Sequence, residues 1–351
     1  MLSGGGSLDR ALMPLHLYIF RRMILIIPLL LGITLVAFFI ANAVPSDPIN
    51  ANLPQSQLNN PELVAAFRAE WGLDKSPIEQ YLTYLGNLLQ GNFGRSIKTR
   101  QLIADDIARF LPATIELATT AVVFGVVMGV SFGIISAVWQ NRWIDTFVRV
   151  FGLIGVSVPV FVLALVGLTV LHAQWGIVAG PGRLGVRLTA PPTVTGLFLI
   201  DSLIAGKWDV FRDALSRLVL PSLVLGWYIA GLISRITRSS MLDVLKADYM
   251  RTARAKGLRE RFIIIRHALT NALIPIVTVI GLSYGNLLAG AVLTESIFAW
   301  PGIGRYMFRA STSQDFPAIM GVSILIAFIY VIVNLVVDVL YYFLDPRVRS
   351  S

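Results

Sequence analysis

Long apolar runs separated by polar stretches divide the chain, and these runs predict its helices. The first, Met23 to Ala43, follows Arg21 and Arg22 and has the roughly 20 residues needed to cross a hydrocarbon core of about 30 Å. Further spans are predicted from about Pro112 to Trp139, Phe147 to Leu171, Leu218 to Arg235, Ala272 to Leu293 and Ala318 to Leu344. The pattern therefore predicts an all-α integral membrane protein of six transmembrane helices, the last five forming a core over 112–344. A signal peptide shares the charge-then-apolar layout of 21–43. However, no small-residue cleavage site closes the run, and Pro45-Ser-Asp-Pro48 reads as a helix stop, so this span is expected to stay uncleaved. Residues 1–14, rich in glycine and serine, read as disordered within an N-terminal tail over 1–22.

The polar stretches differ in kind. Residues 44–111 are long and balanced in charge, with helical patches at Glu62 to Trp71 and Ile78 to Leu89, and read as a sizeable extracytoplasmic insertion. A second outer loop, His172 to about Arg217, contains Gly180-Pro-Gly182-Arg-Leu-Gly185. That string matches the dinucleotide fingerprint but has neither the preceding strand nor the following helix, so it reads as a turn. Asp201, Asp209 and Asp213 are too dispersed for a metal site and are expected to cap helices or sit in solvent. Glu295 to Gly304 is too apolar for a free loop, and Pro301 with two glycines forbids a continuous helix. It reads as a re-entrant segment at the outer mouth, which makes Glu295, Trp300 and Pro301 candidates for lining or gating a pathway.

Features inside the spans leave alternatives open. Ser157 and Pro159 fall near the middle of the third span, where a proline kink either lines a pathway or is only structural. Gly125, Gly129 and Gly133 put a smooth stripe on one helix face, suited either to an interface with another subunit or to close packing within this one. Gly281, Gly285 and Gly290 form a second such face. Asn334 and Asp338 share a face of the last span, where Asp338 is read as structural because it lies near the inner interface.

Composition agrees with a membrane protein: 56% of the 351 residues are hydrophobic and 14% charged, against about 25% charged in soluble domains. A net charge of +9 would suit nucleic acid, but its densest block lies between two spans, where a basic excess marks the cytoplasmic side and not a polynucleotide site. Basic residues at the N-terminus, at Arg142, in the loop 236–271 and in the tail 345–351 place both termini in the cytoplasm. The chain has no cysteine, which excludes thiolate catalysis, disulfides and cysteine metal sites. His16, His172 and His267 form no pair at metal-ligand spacing, and no Gly-x-x-x-x-Gly-Lys-Ser/Thr phosphate loop is present. Catalytic residues, a resident metal and a cofactor are therefore not expected, and energy for uphill transport must come from elsewhere.

Between Arg235 and Arg266 stand nine Lys or Arg against three acids, and within that block the pattern is helix, break, helix. Asp248 or Asp243 can start a turn, Ala253 and Ala255 favour helix, and Gly257 is the residue most able to end one with a left-handed cap. From Arg259 a second amphipathic turn is expected, with Phe262, Ile263 and Ile264 toward the membrane. The run Asp248, Tyr249, Met250, Arg251, Thr252, Ala253, Arg254, Ala255, Lys256, Gly257, Leu258 resembles the EAA loop of ABC importer permeases. It is most similar to the dipeptide, oligopeptide and nickel branch, which reads Asp-Tyr-x-Arg-Thr-Ala-Arg-Ala-Lys-Gly-Leu. Arg251 stands where the wider family has Glu, and Thr270 where it has Pro. The punctuation of the insertion is similar to that of the first permease of peptide importers, Ser46 departing from the family's Pro-Gly-Asp-Pro.

That resemblance implies a permease subunit at the bacterial inner membrane, moving di- or oligopeptides, or alternatively chelated nickel or a solute such as glutathione. It implies four kinds of partner: a second, homologous permease, two ATPase subunits carrying ATP and Mg, a periplasmic binding protein, and the lipid bilayer. Residues 248–258 would form a coupling helix seated in the ATPase, with Ala253 and Ala255 keeping its docking face small, Gly257 permitting the bend after it, and its basic residues pairing with acids. A stand-alone channel or ion-coupled carrier is the rival from another class, with Asp338 and the proline kinks as its only support.

Overall fold

The computed structural model describes residues 20, 24, 27–36, 38, 39, 58–70 and 74–344. Those residues are helical or irregular, with one isolated antiparallel bridge between Arg95 and Leu102. The tail 1–14, the Pro45–Pro48 stop and residues 345–351 lie outside them; of the first predicted span, residues 24, 27–36, 38 and 39 are described, with helix α1 over Ile27–Val36. The described residues contain four helices long and apolar enough to cross a membrane, plus one bent pair that together is long enough for a fifth.

Within the insertion, α2 (Pro61–Glu70) and α3 (Pro77–Leu89) form where helical patches were predicted. A reciprocal cap starts α3: the Glu79 N–H donates to Ser76 Oγ at 3.3 Å and the Ser76 N–H to Glu79 Oε2 at 3.1 Å, with Pro77 in the first turn. Phe38, Met320, Tyr81 and Phe316 bring α3 against both the first apolar run and the last helix.

Helix α4 (Ile103–Val138) is longer than the predicted span, beginning nine residues before Pro112. It starts early because Ile103 and Ile107 are buried against Ile303, Tyr306 and Val322, while Asp106 accepts hydrogen bonds from Thr99 at 2.6 Å and Tyr306 at 2.9 Å. The third span is not one kinked helix over 147–171. Helix α5 (Trp143–Ser157) and α6 (Val160–Gly167), which continues as a π-helical turn to Gln174, meet at 98°. Val158, forced into extended backbone (φ −81°, ψ 126°) before Pro159, makes this a break.

The outer loop also contains more helix than predicted. Helix α7 (Phe198–Ile204) precedes α8 (Trp208–Leu245), which starts ten residues before Leu218. Asp201 accepts the N–H groups of Val194, Thr195 and Gly196, and Asp213 accepts that of Gly185 at 2.6 Å, while Asp209 is exposed. The glycine string 180–185 is irregular and is pinned to α8 by Arg217, which donates to the Gly180 and Pro181 carbonyls.

Beyond α8 come α9 (Asp248–Ala255), then α10 (Glu260–Phe262), which runs through a π-helical stretch (Ile263–Leu269) into α11 (Thr270–Leu288). The expected separate amphipathic turn is instead the start of one apolar helix from Glu260 to Leu288, with Ile263 and Ala268 fully buried and Phe262 exposed. Two short helices, α12 (Val292–Ile297) and α13 (Ile303–Thr312), lead to α14 (Phe316–Leu344).

Glycines set how closely these helices approach. Gly125, Gly129 and Gly133 of α4 lie on Ile229, Ile233 and Thr237 of α8; a Cβ at Gly125 or Gly129 would stand 2.8 Å from the facing isoleucine. The stripe therefore serves packing within the chain. Gly281 and Gly285 likewise meet Val337 and Tyr330 of α14. Between α5 and α8, Trp227 stacks on Phe151 at 4.8 Å and donates its indole N–H to the Phe151 carbonyl.

Candidate functional site: a displayed basic helix

Helix α9 is joined to α8 by only Lys246 and Ala247, whose backbone amides turn back onto Val244. Along α9, Met250 (0% exposed) and Ala253 (8%) point inward, onto a cluster containing Met241, Ile263 and Ala268. At 100° per residue, the opposite face carries Asp248, Arg251, Thr252 and Ala255, all exposed. Asp248 and Arg251, 95% and 80% exposed, stand 3.5 Å apart, a contact that contributes little to stability but leaves both charges available. Tyr249 and Arg254 flank this face.

The helix ends as Gly257 enters left-handed backbone (φ +71°) and donates its N–H to the Arg254 carbonyl at 2.9 Å. No atom lies within 4 Å of where a Cβ would be, so backbone conformation and not crowding selects glycine. Arg254 reaches across the turn to Glu260 at 2.9 Å and ties α9 to the next helix. Lys256 and Leu258, on either side of Gly257, are exposed. Thus the predicted residues are brought together as a helix and cap, with one correction: Ala253 faces the bundle and is not on an outward docking face.

The five gating candidates separate. Ser157 and Pro159 are exposed at the α5–α6 break. Glu295 and Trp300, 0% and 1% exposed, are enclosed, with Pro301 half-buried beside them. Glu295 accepts the Thr114 hydroxyl at 2.7 Å and the Arg305 N–H at 2.8 Å; Trp300 donates its indole N–H to the Ala113 carbonyl at 2.8 Å. Burial pushes the Glu295 carboxyl above the usual carboxylate range, outweighing these donors. Ala299 turns the chain in left-handed backbone (φ 49°), and Phe298 packs with Ala164 and Leu220, so this hub clamps the α12–α13 segment to both α4 and the bent helix.

Two buried ion pairs were missed from sequence. Asp145 of α5 receives both Nε and Nη2 of Arg238 at 2.8 Å, as well as the Ser136 hydroxyl and the Asn141 N–H. Near the other end of α8, Glu116 holds Arg183 at 2.7 Å and accepts the Leu199 N–H, while Arg183 lies 3.8 Å over the Phe198 ring. Desolvation pulls the Arg183 guanidinium below its usual range, and Glu116 opposes that shift. A single acid in an otherwise apolar run was the available signal for Glu116.

Membrane-length apolar helices packed on glycine seams, with one basic helix displayed beyond their ends, define a multi-pass helical membrane protein. Residues 129–350 match the family described as "Binding-protein-dependent transport system inner membrane component", and residues 15–118 match its N-terminal counterpart. The chain belongs to that family. The probable D,D-dipeptide transport system permease protein DdpB of Escherichia coli (strain K12) is 42% identical over 317 residues, 90% of this chain and 93% of its own. The dipeptide transport system permease protein DppB of Alkalihalophilus pseudofirmus is 42% identical over 332 residues, covering 95% and 99%. The glutathione transport system permease protein GsiC of Escherichia coli O1:K1 is 36% identical over 333 residues, covering 95% and 98%. Among solved structures, the methionine ABC transporter MetNI in an inward-facing form is similar over 68% of this chain and 96% of its own, with TM-score 0.49 and 15% identity.

Proposed function

We propose that this chain is the membrane-spanning permease of an ATP-driven importer of di- and oligopeptides, itself non-catalytic. It works with a second permease, two ATPases that carry ATP and Mg, and a binding protein on the outer side. The observation that carries the reading is the exposed face of α9. Asp248, Arg251, Thr252 and Ala255 are turned away from the bundle while Met250 and Ala253 seat the helix on it, which suits a solid knob gripped by a soluble motor. The peptide substrate follows the relatives, whose names specify dipeptides and the tripeptide glutathione.

Two variants test the docking face. Thr252→Trp adds bulk outward, so it should leave insertion intact and uncouple ATP hydrolysis from dipeptide uptake. Ala253→Trp adds bulk inward and should instead unseat α9 and lower thermal stability. Peptide-stimulated ATP hydrolysis at wild-type coupling in T252W would refute the docking role. Because the chain has no cysteine, R251C supplies a clean label: a membrane-impermeant maleimide should react in inside-out vesicles and not in right-side-out ones. The reverse pattern would place α9 outside and end this reading.

A further inference from the structure

We infer that a cavity between α5 and α8 is a site for the headgroup phosphate of an anionic phospholipid in the inner leaflet. The inference rests on the inward orientation of α9 proposed above. The cavity, of about 420 Å³, is bounded by Arg149 on one helix and by Arg235 and Arg238 on the other, with Ser234 at its back and Val150 and Leu153 on its flank.

Backbone proximity creates the crevice. A Cβ at Gly231 would lie 2.6 Å from the Gly152 carbonyl oxygen, so the helices touch there, while the longer side chains on either side leave space. The charge in the cavity is unbalanced. Asp145 and Arg238 neutralise each other through two 2.8 Å contacts, and Asp145 is further saturated by Ser136 and Asn141. Arg149 and Arg235 are exposed and have no ion-pair partner among the described residues, so two guanidiniums converge on one cavity without a counter-charge. Fork-shaped donors of this kind match phosphoryl oxygens.

Position and surroundings select a lipid as the source. Arg238 and Arg235 lie seven and ten residues before the end of α8, about 10–15 Å along its axis from the turn into α9, so a cytoplasmic α9 puts them toward the inner-leaflet end of this membrane-length helix. The cavity flank continues into an exposed apolar face on α5: Phe147 57%, Val150 50%, Leu153 55% and Ile154 43% exposed. An acyl chain can follow that face while its phosphate sits between the arginines. A soluble phosphate could use the arginines but would gain nothing from the face.

The test uses the complete transporter in nanodiscs of phosphatidylcholine containing a minority of phosphatidylglycerol, with co-purifying lipid counted by native mass spectrometry. Wild type should retain phosphatidylglycerol selectively, and R149Q/R235Q should lose that selectivity about 30-fold, each basic group near an anionic surface giving about a fivefold attraction. R149K/R235K should keep most of it. Equal retention by wild type and R149Q/R235Q would overturn the site, and so would displacement of the lipid by inorganic phosphate. Should the glutamine variant fail to fold, photo-crosslinking of headgroup-labelled phosphatidylglycerol to wild type decides: adducts on α5 or α8 support the site, and adducts only elsewhere overturn it. Dipeptide-stimulated ATP hydrolysis in the same discs reports separately on the import reading. Its absence with selective retention intact would sink that reading and leave the lipid site standing.

Discussion

Replacing Gly129 by alanine sets two calculable effects against each other. A helix gains about 1 kcal/mol when alanine replaces glycine in its interior. Against that, the new methyl would stand 2.8 Å from Ile233 Cβ and 3.0 Å from the Ala230 carbonyl oxygen. Carbon atoms prefer separations of about 3.5–4.0 Å, so α4 and α8 must part locally by about 1 Å. Overpacking of this kind costs about 1–3 kcal/mol, leaving a net loss of about 1 kcal/mol for one site. In G125A/G129A/G133A the three losses fall along one seam and reach roughly 3 kcal/mol, whereas helix propensity alone predicts a gain of similar size. Gly86 in α3 has nothing within 4 Å of a Cβ position, so G86A should be neutral to stabilising and serves as the control. Thermal unfolding of purified protein in detergent reads the difference. With an unfolding entropy of about 2.1 cal/mol/K per residue, a chain of 351 residues shifts by about 1.4 °C per kcal/mol, so the triple variant should melt roughly 4 °C below wild type. A triple variant that melts at or above wild type would refute the close-packed seam.

The Asp145–Arg238 pair predicts non-additive damage. D145A leaves a guanidinium only 22% exposed without its carboxylate and should cost about 3 kcal/mol, the low end for a buried pair, while D145A/R238A should lose clearly less than the sum of the single variants in the same melts. Additive losses would mean the two side chains act separately. Glu295 predicts a pH effect. Its carboxyl is raised in the folded protein, so the native state holds the proton to higher pH than the unfolded chain does. Stability from this group is intact below the ordinary carboxylate range and falls as pH rises toward the raised value. E295Q, neutral throughout, should flatten that slope, and an unchanged slope would show that another group causes it.

Much of this architecture is readable from the order of apolar runs and from the basic helix, whose cap glycine and buried Met250–Ala253 pair follow helical spacing. Hydropathy does not reveal that α4 and α8 begin nine and ten residues before their apolar runs, because those turns carry charge: Asp105 and Asp106 in one, Asp209, Arg212 and Asp213 in the other. Their buried residues still keep a four-residue period, Ile103 and Ile107 in α4 and Val210, Ala214 and Leu218 in α8. That period was the available signal. Pro159 announced a disturbance but not a 98° break, because the bend depends on what receives the second arm, here Phe298 and Leu220. Ala253 was assigned to the wrong side because small size suits a docking face and a packed seat equally, and only the phase set by Met250 separates them. The Asp145–Arg238 pair is 93 residues apart, and no local pattern joins two such positions.

The arrangement of joints determines where a push on α9 would go. At its start, α9 is fixed to α8 by a two-residue turn, and on its inner face it is seated by Met250 and Ala253 against Ile263 and Ala268. Helix α8 is itself locked to α4 along the glycine seam and to α5 through Trp227, Phe151 and the Asp145–Arg238 pair. With no slack element between the displayed face and these contacts, α4, α5, α8 and α9 must move as one unit under such a load. Helix α6 also packs on α8 through Ala164 and Leu220, and α10–α11 through Ile263 and Ile276, so the Ser157–Pro159 break and the Leu258–Arg259 turn interrupt the chain without interrupting this packing. The buried Glu295–Thr114 hub is attached to α4 on one side and to α6 through Phe298 on the other, which ties the outer segment to the same packed unit. A push received at α9 would therefore be shared across these packed helices and would not follow a single flexible path through the core.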